Sequence, residues 1–418
     1  FYRGNSIKFS SGNNIGGTHK MKLSEKALGI KPSSTLSITE KAGVLRGEGK
    51  DVISFSVGEP DFDTPDHIKK AAIDAINEGF TKYTPAAGTV ELRKAVAKKL
   101  KEDNGLDYDY TQIVISNGAK HSLVNALMAI VNPGDEVIIP APFWLSYAEM
   151  VRIAGGTPVI AYTKAENNFE LSREVLESAY TEKTKAVIVT TPSNPTGMVL
   201  TEKCLREIAD FAVEKDIIVI ADEIYEKLIY SKDKKHISIA SFGKEIYERT
   251  ITVNGVSKSY AMTGWRIGYT ASSKQIAKLM ASMQSHMTSN PNSIAQMAAL
   301  AAIEGPQDCV EDMREKFEER RDYIYDRVAK MPYLKTLKPE GAFYLFVDFS
   351  GTYGKKYNDI VLESAAQIGA LLLDEELIAV VPCADFGMPD YIRFSYATSN
   401  ENIKKGMDRL EDFISKLK

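Results

Sequence analysis

The sequence has 418 residues, which predicts two or three domains at about 150 residues each. Its 52 Lys and Arg residues nearly balance 56 Asp and Glu residues, and the net charge of −4 argues against a nucleic-acid partner. Three cysteines without a C-x-x-C spacing, five scattered histidines and no apolar run of about 18 residues argue against a disulfide framework, a metal centre or a membrane span, and favour a soluble cytoplasmic protein.

Residues 1–20 are rich in Ser, Asn and Gly and contain no apolar stretch that resembles a signal-peptide core. We expect them to be a leader ahead of the natural start at Met21, with an ordered native extension as the alternative. Residues 21–60 are too few to form a domain, and their helical stretch at 37–46 has to pack elsewhere. We predict an N-terminal arm that also contributes to a small C-terminal domain.

Residues 61–305 alternate apolar, β-branched runs with amphipathic stretches such as 91–101 and 204–214. This alternation is typical of a mostly parallel sheet with helices on both faces. We therefore predict a large α/β domain with three layers, α/β/α. The predicted strands are 113–116, 136–139, 158–162, 186–190, 217–221, 250–253 and 266–270.

The pattern changes in residues 306–418. A long charged helix is predicted at 307–330, a second helix at 359–373, and apolar runs at 342–347 and 392–396 indicate strands. This mixture predicts a smaller α+β domain.

Polar residues follow several of the predicted strands. In an open α/β sheet, ligands bind outside the carboxyl ends of the strands, so these residues are candidates for one site. Each also has an ordinary alternative: a helix cap for Asp222, a solvated surface position for Lys258, a turn for Gly118 and a surface ion pair for Arg266. The candidates at these strand ends are Gly118, Ala119, Lys120, Asn194, Asp222, Tyr225, Ser257, Lys258 and Arg266.

The combination is more informative than any one member. A glycine that opens a helix can hold a phosphate on free backbone N–H groups, and an Arg fork can help. Lys258 offers an amine that can react with an aldehyde, and Asp222 offers a carboxylate for a protonated ring nitrogen. A phosphorylated pyridine aldehyde would use all of these groups.

Three segments carry a specific resemblance. SKSYAMTGWRIG at 257–268 resembles the lysine segment of class I pyridoxal-phosphate aminotransferases, and SNPTG at 193–197 and ADEIY at 221–225 resemble two further blocks of that family in its order. The resemblance extends from about residue 31 to the C-terminus. It implies a fold-type I transferase, the cofactor pyridoxal 5′-phosphate, and a homodimer with its active sites at the subunit interface.

The resemblance also implies roles for the cofactor-binding residues. Lys258 is expected to attach the cofactor and to move protons as the general acid and base, while Asp222 keeps the ring nitrogen protonated. Tyr225 and Asn194 are expected to bind the ring oxygen. Trp144 is expected to stack on the ring. The expected phosphate ligands are Gly118, Ala119, Ser257, Arg266 and, from the partner subunit across the interface, the residue equivalent to Tyr83 in KYTPAAG at 82–88. Lys120, in the same segment as Gly118, is a further candidate for cofactor binding.

Substrate recognition is inferred in the same way. Arg393, in YIRFSY at 391–396, matches the residue that binds the substrate α-carboxylate through two hydrogen bonds. The alternative is a surface cation on an edge strand. Gly58, in VGEPDF at 57–62, resembles the glycine whose backbone approaches that carboxylate, and Trp144 and Asn194 are expected to contact the substrate as well. One departure is Cys383, where relatives commonly have glycine, which puts the local turn in doubt.

The expected reaction is transfer of the amino group from L-aspartate to 2-oxoglutarate by a ping-pong route. Lys120 occupies the place where relatives pair the side-chain carboxylate, although it could instead face solvent or the phosphate. Lys31 sits where some relatives carry a cation that binds prephenate.

Alternatives to this reaction remain open. They are an aminotransferase for aromatic, prephenate or alanine-type substrates, a pyridoxal-phosphate lyase, and a cofactor-binding regulator without catalysis.

Overall fold

The computed structural model describes residues 21–231 and 234–418. The predicted leader, residues 1–20, lies outside this described part. Within it, none of the helices is both long and apolar enough to cross a lipid bilayer. The helices are α1 (Glu25–Leu28), α2 (Ser34–Gly47), α3 (Asp66–Asn77), α4 (Val90–Asn104), α5 (Ala119–Ile130), α6 (Ser146–Ala154), α7 (Arg173–Ala179), α8 (Glu202–Glu214), α9 (Lys244–Arg249), α10 (Lys274–Met287), α11 (Ser293–Glu304), α12 (Asp308–Val328), α13 (Ala365–Asp374) and α14 (Asn400–Ser415).

The strands fall into one large sheet and several small ones. They are β1 (Ile53–Ser54), β2 (Ile113–Ser116), β3 (Glu136–Ala141), β4 (Thr157–Tyr162), β5 (Thr184–Thr190), β6 (Ile218–Asp222), β7 (Thr250–Gly255), β8 (Gly268–Ala271), β9 (Lys335–Thr336), β10 (Tyr344–Asp348), β11 (Lys356–Tyr357), β12 (Ile360–Val361), β13 (Ile378–Ala379), β14 (Val381–Pro382) and β15 (Tyr391–Ser395).

The large sheet has seven strands in the order β2-β8-β7-β6-β5-β3-β4. The strands β4, β3, β5, β6 and β7 pair in parallel, whereas β8 runs antiparallel to both of its neighbours, β2 and β7. Helices connect the parallel strands, because a parallel pair needs a long crossover. The predicted mostly parallel sheet is therefore confirmed.

Helices cover both faces of this sheet, as the side chains of β5 illustrate. Ala186 and Ile188 pack with residues of α5 and α6, whereas Val187 and Val189 pack with residues of α8. Successive side chains of a strand point to opposite faces, so four apolar residues in a row require two dry faces. The three-layer α/β/α prediction is confirmed.

Each of the seven predicted strands is present, with ends shifted by at most two residues. The strand predicted at 266–270 begins at Gly268 instead. Arg266 has a φ of +57°, a left-handed conformation that ends the preceding turn and cannot continue a strand. Its side chain is thereby free to turn toward the cavity described below.

The smaller part of the protein is α+β, as predicted. Its antiparallel sheet has the order β14-β15-β10-β9 and packs against α12. The helix predicted at 359–373 is wrong over its first residues, because 360–361 form β12 in a hairpin with β11. The helix α13 begins only after Ser364, whose side chain caps it by accepting a hydrogen bond from the backbone N–H of Gln367.

The N-terminal arm contacts this smaller part. The strand β1 pairs in parallel with β13, and Phe55 lies so close to Gly406 of α14 that an added Cβ on this glycine would overlap the ring. These contacts favour the predicted contribution of residues 21–60 to the small domain. The boundaries at residues 60 and 305 remain a prediction.

Phe317 on α12 illustrates how the core of the small domain is packed. Its side chain is fully buried, and its ring centroid lies 5.2 Å from that of Phe62 and 5.2 Å from that of Phe343. It therefore joins the segment that follows β1, the long helix α12 and the segment leading into β10 into one cluster.

We expect Phe317→Ala to lower the free energy of unfolding by about 3–5 kcal/mol, because it removes buried apolar contacts and leaves a cavity. Glu319→Ala on the exposed face of the same helix is the matched control, with an expected change within about 0.5 kcal/mol. Urea unfolding followed by circular dichroism measures both. Equal effects of the two substitutions would contradict the packing described here.

Candidate active site

A cavity of about 310 Å³ opens at the carboxyl ends of β5, β6 and β7. Thr190 is the last residue of β5 and Asp222 the last residue of β6. Ser257 and Lys258 follow β7 after one intervening residue. The structure thus brings together most of the residues that the sequence analysis selected. Those lining the cavity are Gly58, Ala119, Lys120, Trp144, Asn194, Asp222, Tyr225, Ser257, Lys258, Arg266 and Arg393.

One end of the cavity has the features of an anion site. Gly118, with a φ of +85°, caps the N-terminus of α5, and its carbonyl oxygen accepts from the N–H groups of His121 and Ser122, which leaves those of Ala119 and Lys120 without an acceptor in the helix. An added Cβ on Gly118 would overlap the guanidinium of Arg266, and one on Gly268 would overlap the backbone nitrogen of Ala119. The two glycines therefore allow a cation and a helix N-terminus to approach one another, which suits a phosphate.

Lys258 presents an amine inside the cavity. Its Nζ donates a hydrogen bond to the carbonyl oxygen of Gly58 at 2.6 Å. Gly58 has no room for a side chain, because a Cβ would lie 2.6 Å from the hydroxyl of Tyr344. Burial lowers the pKa of Lys258 to about 8, although the negative charge of Glu59 opposes this effect. Part of the amine is therefore neutral near pH 7 to 8 and can act as a nucleophile.

Asp222 is a buried acid with neutral partners. Its carboxylate accepts hydrogen bonds from the hydroxyl of Tyr147 at 2.6 Å and from the backbone N–H of Ile224 at 3.3 Å. Burial raises the pKa of Asp222 to about 6, although these two hydrogen bonds act in the opposite direction. A cationic group placed beside this carboxylate would relieve the cost of burying its charge.

Arg393 is a buried cation with neutral partners. It lies in β15 between β10 and β14, so the alternative of an edge-strand surface cation is wrong. Its side chain donates hydrogen bonds to Oδ1 of Asn194 at 2.8 Å and to the carbonyl oxygen of Ser56 at 3.0 Å. Its Nε is buried without a hydrogen-bond partner. This unpaired donor on a buried guanidinium suits an anionic ligand such as a carboxylate.

Lys120 lies in the first turn of α5 at the exposed rim of the cavity. Its Nζ is 4.7 Å from the centroid of the Trp144 ring. Desolvation lowers the pKa of Lys120, and the charge of Arg266 lowers it further. A cation at a helix N-terminus is unfavourable unless an anion joins it, so this position suits an acidic ligand group.

Two aromatic residues of the cavity were missed from sequence. Tyr147 on α6 bonds to Asp222 and, at 2.7 Å, to the hydroxyl of Thr190. Tyr344 in β10 forms a 2.7 Å hydrogen bond with the hydroxyl of Tyr225 and lies 4.5 Å from the guanidinium of Arg393. Tyr344 was missed because it lies in the small sheet, and Tyr147 because it lies on α6, several residues beyond the end of β3. The signal was a tyrosine hydroxyl within an otherwise apolar stretch, which needs a partner when buried.

Three predicted residues do not line the cavity of this chain: Gly118, which caps the helix beside it, Tyr83 and Lys31. Tyr83 is 89% exposed, and its predicted role concerns the partner subunit, so it stays a prediction. Lys31 is exposed, and its backbone N–H bonds to the carboxylate of Glu149 at 3.3 Å, while Ser33 and Thr35 line the cavity instead.

The turn at Cys383, which its departure from glycine put in doubt, has an ordinary geometry. The residue is fully buried with a φ of −108°, so glycine is not required there.

A cluster of charged side chains lies behind the site. Glu223, Glu226 and His236 approach one another closely enough to ligate an ion, although their positions in the sequence show no ligand spacing. Lys99 pairs with Glu226, and Nε2 of His236 lies 2.9 Å from Glu223. The pKa of His236 is raised by Glu223 despite its burial. The protein's own cations therefore balance these two acids.

In the cofactor-free chain, we expect the reactivity of Lys258 toward a small acylating reagent to rise through about pH 8, because only the neutral amine reacts. Short labelling pulses at several pH values, followed by peptide mass spectrometry, measure this midpoint. Exposed lysines in the same digest give the reference curve, near the usual value of about 10.4. A Lys258 curve that coincides with the reference would refute the burial effect.

The chain is similar to known proteins over most of its length. The profile of the family "Aminotransferase class I and II" matches residues 50–410. The chain is 46% identical over 396 residues to the aspartate aminotransferase of Bacillus subtilis (strain 168), which covers 95% of this chain and 100% of that protein. It is also 46% identical to a probable aspartate/prephenate aminotransferase of Aquifex aeolicus (strain VF5), covering 94% and 99% of the two chains.

A solved structure is similar as well. The aspartate aminotransferase from Thermus thermophilus with maleate superposes with a TM-score of 0.88 at 41% sequence identity. The superposition covers 94% of this chain and 100% of that one.

Proposed function

This chain belongs to the class I and II aminotransferases, and on that premise we propose that it transfers the amino group of L-aspartate to 2-oxoglutarate, giving oxaloacetate and L-glutamate. The observation that carries the proposal is the gathering of three groups in one cavity: a partly buried amine at Lys258, a buried acid at Asp222 and a buried guanidinium at Arg393 whose Nε has no hydrogen-bond partner. The curated relatives with 46% identity are named for the same amino acid, aspartate.

The proposed cofactor is pyridoxal 5′-phosphate. The residues fit it because Gly118 and Gly268 keep the helix terminus and Arg266 open to a phosphate, and because Asp222 lacks a cationic partner. When bound, this cofactor supplies an aldehyde joined to an electron-accepting ring. Lys258 would hold the aldehyde, Asp222 the ring nitrogen, Trp144 one ring face, and Tyr225 with Asn194 the ring oxygen.

The chain's own residues then control the substrate and its protons. Arg393 binds the α-carboxylate, and its fixed fork orients the α-carbon toward Nζ of Lys258. Once the substrate amine had taken its place on the aldehyde, Nζ would accept the α-proton as a neutral amine, hold it as an ammonium and deliver it to the former aldehyde carbon, which a pKa of about 8 allows near neutral pH. Lys120 binds the second carboxylate of a dicarboxylic substrate at the rim.

The proposed active form is a homodimer in which Tyr83 of each subunit reaches the phosphate site of the other. The nearly complete exposure of Tyr83 supports this role, since its side chain is available to contact a second subunit. Exposed Ile73 and Ile76 on α3 add apolar surface that a second copy could cover. We propose the domain boundaries at residues 60 and 305 for each subunit.

A second substrate class is favoured by one observation. The Aquifex aeolicus relative is named for prephenate as well as aspartate. The side chain of Lys31, which was expected to bind prephenate, does not line the cavity, so aspartate remains the first proposal.

The reaction is tested by supplying the chain with pyridoxal 5′-phosphate, L-aspartate and 2-oxoglutarate and measuring both products. Half-reactions with L-aspartate, L-tyrosine, L-alanine and arogenate, followed by cofactor absorbance, compare the donors. Formation of oxaloacetate and glutamate supports the proposal. Pyruvate release from a β-substituted alanine without a keto acid would favour a lyase instead.

We expect Lys120→Ala to lower kcat/KM for L-aspartate by about 10- to 100-fold, the effect of a lost charged hydrogen bond, with little change for L-alanine. Lys203→Ala, on the exposed surface of α8, is the control. Steady-state kinetics with both donors measure the difference. An equal loss for both donors would place Lys120 at the phosphate and not at the substrate carboxylate.

We expect Asp222→Asn to lower turnover about 100-fold, because it removes the charge beside the ring nitrogen. Tyr147→Phe removes a neutral hydrogen bond to that carboxylate and should lower turnover only about fivefold. Initial rates under saturating substrates measure both. If the two variants lose the same activity, the charge of Asp222 is not what the reaction uses.

A further inference from the structure

Gln284 on α10 is a fully buried amide whose hydrogen bonds are all satisfied. Its Nε2 donates to the carbonyl oxygens of Ala86 at 2.6 Å and Ile115 at 2.7 Å. Its Oε1 accepts from the hydroxyl of Ser116 at 2.7 Å and from the amide of Asn125 at 2.9 Å. Both N–H hydrogens and both lone pairs of the amide oxygen are in use, so this buried side chain is rigidly held and costly to replace.

These bonds join two segments of the proposed site. Ile115 and Ser116 end β2, two residues before the Gly118 cradle. Ala86 lies three residues after Tyr83, in the loop from 80 to 89. The two segments also touch directly, because the N–H of Ile115 donates to the carbonyl oxygen of Ala87 at 3.0 Å.

We propose that Gln284 is a positioning residue that couples the phosphate cradle of its own subunit to the Tyr83 loop that serves the partner subunit. The proposal rests on the proposed function, in which Tyr83 reaches the phosphate site across a dimer. A change in the cradle then reaches the loop through the side chain of Gln284, in addition to the backbone bond between Ile115 and Ala87, and the two sites of the dimer are linked. Gln284 itself does not line the cavity that would hold the cofactor and the substrate.

Gln296 on α11 provides a matched control. It is fully buried and holds the same loop, since its Oε1 accepts from the N–H of Thr89 at 2.8 Å and its Nε2 donates to the hydroxyl of Thr84 at 3.1 Å. Its further bond, at 2.9 Å, goes to the carbonyl oxygen of Pro291 and not to β2. Gln296 should therefore influence the loop without influencing the cradle.

The experiment uses dimers assembled from two differently tagged chains. Lys258→Ala in one chain removes covalent attachment there, so the absorbance of attached pyridoxal 5′-phosphate reports on the other chain alone. In the first arrangement Gln284→Met is in the reporting chain. In the second arrangement it is in the chain that carries Lys258→Ala. Titration with the cofactor gives Kd for each.

We expect Gln284→Met to raise Kd by about 10-fold in both arrangements, and Gln296→Met to raise it only in the second. Adding Tyr83→Phe to the Gln284→Met chain should cause no further loss in the second arrangement, because both changes act through the same hydroxyl. An effect of Gln284→Met confined to the first arrangement, or absent from both, overturns the coupling.

Two further controls keep the outcome interpretable. If Gln284→Met does not fold, Ser116→Ala deletes one of the four bonds and is tested in the same arrangements, with an expected rise in Kd of about threefold. Unmodified chains that bind no pyridoxal 5′-phosphate, or that sediment as monomers, would refute the proposed function itself. That result is distinct from a dimer that binds normally and shows no coupling.

Discussion

The site depends on holding three ionisable side chains away from bulk water with neutral hydrogen-bond partners. Lys258 bonds to a carbonyl oxygen, Asp222 to a tyrosine hydroxyl and a backbone N–H, and Arg393 to an amide oxygen and a carbonyl oxygen. Desolvation outweighs the opposing charge of Glu59 at the lysine and the hydrogen bonds at the aspartate, which is why the pKa of the lysine falls and that of the aspartate rises. The fold bears this cost, and a ligand of complementary charge recovers it.

The cavity belongs to both parts of the protein. Asp222 and Lys258 come from the large sheet, whereas Arg393 comes from the small antiparallel sheet. The segment after β1 connects the two, because Glu59 accepts a hydrogen bond from Thr263 at 2.8 Å and Asp61 forms a bidentate pair with Arg320 at 2.6 and 3.0 Å. Any relative movement of the two parts would therefore change the distance between Nζ of Lys258 and the guanidinium of Arg393.

The sequence predicts much of this arrangement because the large sheet follows strong local rules. Buried parallel strands appear as apolar runs, and their carboxyl ends mark the site, so Asn194, Asp222 and Lys258 were found together. Tyr147 and Tyr344 were missed because their roles arise from contacts between distant segments. The start of β8 was misplaced since the left-handed conformation of Arg266 has no local signal. Residues 360–361, which form β12, fall inside the helix predicted at 359–373, because short strands and helix ends look alike in sequence.

Tyr344 of the small sheet contacts residues from several separate segments of the chain. The hydroxyl occupies the space that a side chain on Gly58 would need, and it forms a hydrogen bond with the hydroxyl of Tyr225. The ring that carries it packs against the guanidinium of Arg393. The carbonyl acceptor for the reactive amine is therefore in position only when the small sheet has docked onto the large one. The hydrogen bond between Lys258 and Gly58 therefore belongs to the completed fold, with both sheets docked, and not to the large sheet alone.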